Sequence, residues 1–209
     1  MLLMRTASLL LGFVTLALVW AGPLLDAWRG SFAAHMLAHM GVVAIAAPLI
    51  AIGIARTIRS VATAAPLIAS LVELIVVWGW HAPAARQWAE TSTIATMIEQ
   101  VSFLGAGLFL WLTCMAPRNA DAPARDAAGA FALLLTSIHM TLLGALLSLA
   151  SRPLYGLGEV TCFGLVLGAG QDQALGGIIM LMIGAAVYLA GGVFLLARLL
   201  SGKTERLAG

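Results

Sequence analysis

The chain has 209 residues and only four histidines, and all four fall within long apolar runs or at their ends. His35 and His39 are four residues apart, which on a helix places both imidazoles on one face, about a turn apart. His81 closes a third apolar run, and His139 lies near the middle of a fifth. Carboxylates join them: Glu73 about two turns before His81, Glu99 one to two turns into the fourth run, and Asp172 opening the sixth. Met36 and Met40 each follow one of the paired histidines, and Met140 follows His139. Imidazole with thioether suits copper, the thioether favouring the cuprous ion; imidazole with carboxylate equally suits zinc or iron. An Asp, Lys or Arg in a bilayer costs at least ~2.5–3.5 kcal/mol, so such groups need partners.

The elements that must position these groups are membrane helices. The chain is 62% hydrophobic and 10% charged, against about 25% charge in a soluble domain. Six apolar runs are predicted as spans: Leu2–Trp20, Phe32–Ile54, Val61–Trp80, Ile94–Met115, Gly129–Ala150 and Ala174–Leu200. Most approach the ~20 residues that cross ~30 Å of hydrocarbon, and runs this long exclude barrel strands. The expected fold is an all-α polytopic bundle of about six helices, residues 1–209 forming one integral membrane domain. Residues 1–21 read as the first span or as a signal peptide, since Val19-Trp20-Ala21 precedes Gly22-Pro23. Arg5, Arg56, Arg59, Arg118, Arg125, Arg198, Lys203 and Arg206 fall on one side; Arg29, Arg86 and Arg152 fall on the other. The positive-inside rule then puts both termini in the cytoplasm and the histidine ends outside. The same bias accounts for the pI without nucleic acid.

Cys114 and Cys162 fall on opposite sides in this topology, which argues against a disulfide between them. The short apolar stretch Val160–Ala169 either dips into the interface or covers the outer helix ends. Ala116–Ala128 reads as a turn, and His81–Thr93 as a brief outer connection. Gly170, Gly177, Gly184 and Gly191 recur every seven residues and predict a seam of close helix packing.

Each site residue also has a plainer reading. His139 alone serves as well as a helix–helix hydrogen-bond partner, and His81 sits among interfacial tryptophans. Asp172 suits the N-cap of run six, and the methionines suit packing. Glu73 and Glu99 serve either as ligand supports or as proton-relay groups.

In order along the chain, several segments resemble the CtaG-type cytochrome c oxidase assembly factors. These are His35-Met36-Leu37-Ala38-His39-Met40 leading to Ala47-Pro48-Leu49, Trp80-His81-Ala82-Pro83, and Glu99-Gln100-Val101-Ser102-Phe103. Arg152-Pro153-Leu154-Tyr155 and Asp172-Gln173-Ala174-Leu175-Gly176-Gly177 follow. Gln100 departs from the resemblance, standing where the family's pattern has a histidine, and Leu181 stands in place of an aromatic. The resemblance implies a multi-pass protein of the bacterial cytoplasmic membrane that helps to mature a haem–copper oxidase, with oxidase subunits as partners. A homo-oligomer is compatible with it.

On that reading His35 and His39 bind copper with help from His81, and from Met36, Met40 or His139. Asp172 and Glu99 orient the imidazoles, with Glu73 auxiliary. A haem b carrier ligated by His39 with His81 or His139 is one rival. A transporter relaying protons through Glu73, Glu99, His139 and Asp172 is another, and a scaffold without metal a third. No zincin motif, phosphate loop or nucleophile elbow points to an enzyme.

Overall fold

Pro48 shapes the helix that carries the paired histidines. Proline has no N–H for the preceding turn, and the helix answers by widening to a π-helical segment over Gly41–Ala46, where Ala47 N–H reaches Val42 O. The structure is a computed structural model describing residues 2–22, 27–28, 30–58, 61–117 and 122–208, with backbone alone for 2 and 202–208. Its helices are α1 (Leu2–Trp20), α2 (Phe32–Thr57, containing the π segment), α3 (Ala65–Trp80), α4 (Pro83–Thr91), α5 (Thr93–Met115), α6 (Ala122–Ser148) and α7 (Ala169–Ala208). A two-stranded hairpin, β1 (Glu159–Cys162) and β2 (Leu165–Gly168), precedes α7.

Five of these helices are long and apolar enough to cross a membrane, and α3 with α4, bent by 72°, makes a sixth if counted as one span. The protein is therefore an all-α polytopic bundle as expected, with local differences. Run three is a 16-residue helix, about 24 Å long. The expected loop after it holds α4, begun by Pro83 in its first turn. The expected turn at 116–128 is already helix from Ala122, so Arg125 and Asp126 lie inside α6. There Arg125 Nη2 donates to Pro117 O at 2.6 Å, and Asp126 pairs with Arg198 of α7. Arg29, Arg59 and Arg118, used in the orientation count, lie outside the described residues, as do the side chains of Lys203 and Arg206.

Packing centres on α7. It lies along α6, where Gly144 and Gly177 meet: a Cβ on either would stand 2.6–2.7 Å from the other's carbonyl oxygen. Gly184 and Gly191 continue the seam against Met140 and Trp111, whereas Gly170 faces open space. α1 is peripheral and antiparallel to α2, with Arg5 Nη2 2.8 Å from Gly53 O and Trp20 Nε1 donating to Gln100 Oε1 at 3.2 Å. Ile75, Val101, Ile138 and Met182 point outward, as lipid-facing positions do.

The stretch Val160–Ala169 covers helix ends as a hairpin. Phe163 (φ 51) and Gly164 (φ 80) make its tip, the positive-φ pair a tight hairpin turn needs. Cys162 is buried on Ala33 and Ala34 of α2, and the Phe163 ring lies 4.5 Å from Trp28. Both cysteines are free.

Candidate metal site at the histidine end

Two residues of α7 fix the elements that bear the histidines. Asp172 does not cap its own helix. Its Oδ1 accepts from Ser31 Oγ at 2.7 Å and Ala33 N at 3.2 Å, and its Oδ2 from Phe32 N at 2.6 Å. These are the orphan donors at the start of α2, and a carboxylate there also complements the helix dipole. Asp172 thus holds the helix of His35 and His39 rather than an imidazole. Gln173 beside it accepts from Leu154 N at 2.6 Å and donates to Leu147 O at 3.0 Å. That fixes the loop carrying Tyr155, whose hydroxyl donates to His81 O at 2.6 Å. Tyr155 also stacks on Phe32, centroids 4.4 Å apart. Burial pushes its hydroxyl up to about 12, so it remains a neutral donor. Tyr155→Phe is expected to cost about 1 kcal/mol of stability, the net worth of one hydrogen bond. Thermal unfolding in detergent measures it.

His81 follows α3 at the bend. Its Nδ1 lies 2.6 Å from Val77 O, and its Nε2 lies 3.3 Å from Met36 Sδ. A carbonyl only accepts, so Val77 O fixes the proton on Nδ1 and leaves Nε2 a bare lone pair. A thioether has no proton to offer. Two lone pairs therefore face each other across 3.3 Å, an arrangement that suits a soft cation. The His39 ring is 5.5 Å from the His81 ring and 3.9 Å from Phe103. His39 is fully buried, and among the described residues neither of its nitrogens has a hydrogen-bond partner.

His35 is held differently. Its Nε2 is 3.3 Å from Glu99 Oε1. Arg86 Nη1 lies 3.2 Å from its Nδ1 and 3.4 Å from its Nε2, against the ring rather than on one lone pair. Arg86 also pairs with Glu90 at 3.1 Å and approaches Glu99 at 3.9 Å. The expected set therefore splits into His39, His81 and Met36 on one side and an ionic triad of His35, Glu99 and Arg86 on the other. Among the described residues no three His, Cys, Asp or Glu side chains converge as one metal cage. The neutral donors brought near one another are the imidazoles of His39 and His81 and the thioether of Met36.

His139 and Glu73 lie deeper. Tyr155 follows α6 and bonds the end of α3, while Thr136 of α6 lies 2.9 Å from Ser70 of α3, so these helices run the same way. His139 is one turn beyond Thr136 and so level with Glu73, which is eight residues, or about 12 Å, from His81. His139 is buried, and among the described residues both its nitrogens are unpartnered. Glu73 Oε1 accepts from Tyr188 at 2.6 Å, and the Tyr188 hydroxyl lies 3.3 Å from Val43 O. In the π segment the donor for Val43 O would be residue 48, a proline, so the Tyr188 hydroxyl, whose one proton goes to Glu73 at the shorter distance, stands beside a carbonyl the backbone cannot satisfy. Glu73 is thus tied to the geometry of α2. Met40 is fully buried one turn below Met36.

Sequence reasoning missed Arg86 as part of the site. The signal was present: Pro83-Ala84-Ala85-Arg86, with Glu90 at i+4, is a short helix with an internal ion pair. Gln100, where the resemblance led to the expectation of a histidine, accepts from Trp20 instead.

Fold and site together define a multi-pass membrane bundle with a buried imidazole–thioether grouping under one face. The chain matches the family model described as cytochrome c oxidase caa3 assembly factor over residues 2–201, and it belongs to that family. Its partner is accordingly a cytochrome c oxidase in a membrane. No curated protein and no solved structure matches it.

Proposed function

We infer that this assembly factor handles cuprous copper for its oxidase through His39, His81 and Met36. The observation that supports this is the His81 Nε2 lone pair facing Met36 Sδ at 3.3 Å, beside a buried His39 whose nitrogens are both unpartnered. Copper is cargo here, so a site of two or three soft donors is an advantage, since a closed four-ligand cage would exchange slowly. His35, Glu99 and Arg86 form the polar mouth of the site. The surplus of basic residues at the opposite end supports an orientation with this mouth on the outer face of a bacterial cytoplasmic membrane and both termini inside.

The haem reading is less well supported. Phe103 packs on His39 and Met36 fills the approach to His81, so a porphyrin between the rings would displace both. The buried imidazole–thioether contact favours metal handling over a bare scaffold or a catalytic role.

The test is a competitive cuprous titration of purified protein under reducing conditions. Wild type is expected to bind copper, and His39→Ala/His81→Ala to lose the ion held by nitrogen. Unchanged binding in the double variant would reject these two as ligands. The same variants in a deletion strain should lower the copper content of the oxidase.

A further inference from the structure

Four methionines continue inward from the site. Met36, Met40, Met140 and Met180 are all fully buried and belong to one contiguous core cluster. Their depths follow from helix register. Asp172 holds Phe32 N, and Met36 Cγ lies 3.0 Å from where a Gly176 Cβ would stand. Both pairs are 140 residues apart, so the next turn sets Met40 level with Met180. One turn further, Gly184 has Met140 Cβ at the same 3.0 Å. From Gly176 to Gly184 is eight residues, about 12 Å, so the methionines enter at helix levels about 6 Å apart, from which long flexible side chains can converge. The top of this series is the thioether that faces the bare nitrogen of His81.

Packing would be served as well by leucine at these positions. Leucine fills nearly the same volume in a buried helix contact and loses less rotamer freedom on ordering. The glycines of α7 clear the space: Gly176 and Gly184 leave room where side chains would collide with Met36 and Met140.

The geometry points to a second cuprous site, built from the thioethers of Met40, Met140 and Met180 and continuous through Met36 with the histidine pair. It rests on the reading of the protein as a copper handler and extends it. The ion would occupy sulfur ligands in the membrane interior as well as the nitrogen-bearing site near the face. Thioethers are neutral and soft, so they hold a cuprous ion without a fixed negative charge in the hydrocarbon and discriminate against zinc.

The test uses the full chain in detergent or nanodiscs, titrated with cuprous ion against bicinchoninate under reducing conditions. Copper-edge X-ray absorption then reads the ligands. Wild type is expected to hold two ions with both sulfur and nitrogen neighbours. Met140→Leu/Met180→Leu, which keeps the volume, should lose one ion and most sulfur scattering while keeping the nitrogen-bound ion. His39→Ala/His81→Ala should lose the nitrogen-bound ion and keep the sulfur-bound one. Wild-type stoichiometry and scattering in the double-leucine variant would overturn the thioether site and leave the histidine site standing. Retention of all copper in the double-alanine variant would do the reverse, and no binding by wild type would overturn both. Selenomethionine-labelled wild type needs no substitution: more than one selenium per interior ion is expected, and absence of copper–selenium scattering overturns the proposal.

Discussion

Asp172→Ala is expected to lower the unfolding free energy by about 3–5 kcal/mol, since two backbone N–H groups and a hydroxyl lose their acceptor at about 1–3 kcal/mol for each buried donor left unsatisfied. Asp172 is buried and receives three donors from the first turn of α2: Ser31 Oγ, Phe32 N and Ala33 N. Alanine leaves those donors under protein, where water does not replace the carboxylate. The loss is local to the half of α2 bearing His35, Met36 and His39, so copper affinity should fall along with stability. Asp172→Asn keeps an acceptor but loses the charge and the dipole term, and should cost about 1–2 kcal/mol. Chemical unfolding of the three proteins in detergent gives the ranking. Equal stability of wild type and Asp172→Ala would show that α2 starts without this contact.

What the sequence reveals follows from what depends on local chemistry. The spans are legible because lipid demands long apolar runs: five of the six runs are helices of spanning length with shifted ends, and the third is a shorter helix that makes a span only together with α4. The proximity of His39 to His81 was also accessible, since each sits at the same end of its span. The division among the histidines was not. Nothing in the spacing of His35 and His39 tells which ring meets Glu99 and which meets Phe103. That depends on the rotation of α2, which its own π segment sets together with Asp172 and Tyr188 of α7, more than a hundred residues away. His139 illustrates the other limit: its type suggested a ligand, but its depth is fixed by the pairing of Thr136 with Ser70. Asp172 accepts from helix-start donors, but from those of α2, whose own N-cap is Ser31, rather than from those of α7. Preference for a cap names a residue type and not the helix that uses it.

Charge at the mouth makes the second large prediction, one with opposite signs for two neighbouring residues. Glu99 is fully buried, 3.3 Å from His35 and 3.9 Å from Arg86. With copper bound, Glu99 and Glu90 would offset Arg86 and the ion. Glu99→Gln keeps the shape but removes one negative charge, leaving Arg86 and the cation facing each other. At an effective dielectric of ~20 and a separation of ~6 Å, one unit charge is worth ~3 kcal/mol, on the order of 100-fold in affinity. Cuprous affinity should therefore fall by about that factor in Glu99→Gln. Arg86→Gln removes the opposing cation and should tighten binding by a comparable factor while slowing release, so oxidase maturation would drop even as affinity rises. Competition titrations and stopped-flow release to a chelator separate the two effects. A scaffold that never holds an ion predicts no affinity change in either variant. A site in which Glu99 acts only by orienting His35 predicts weaker binding in both, because Arg86 touches the same ring.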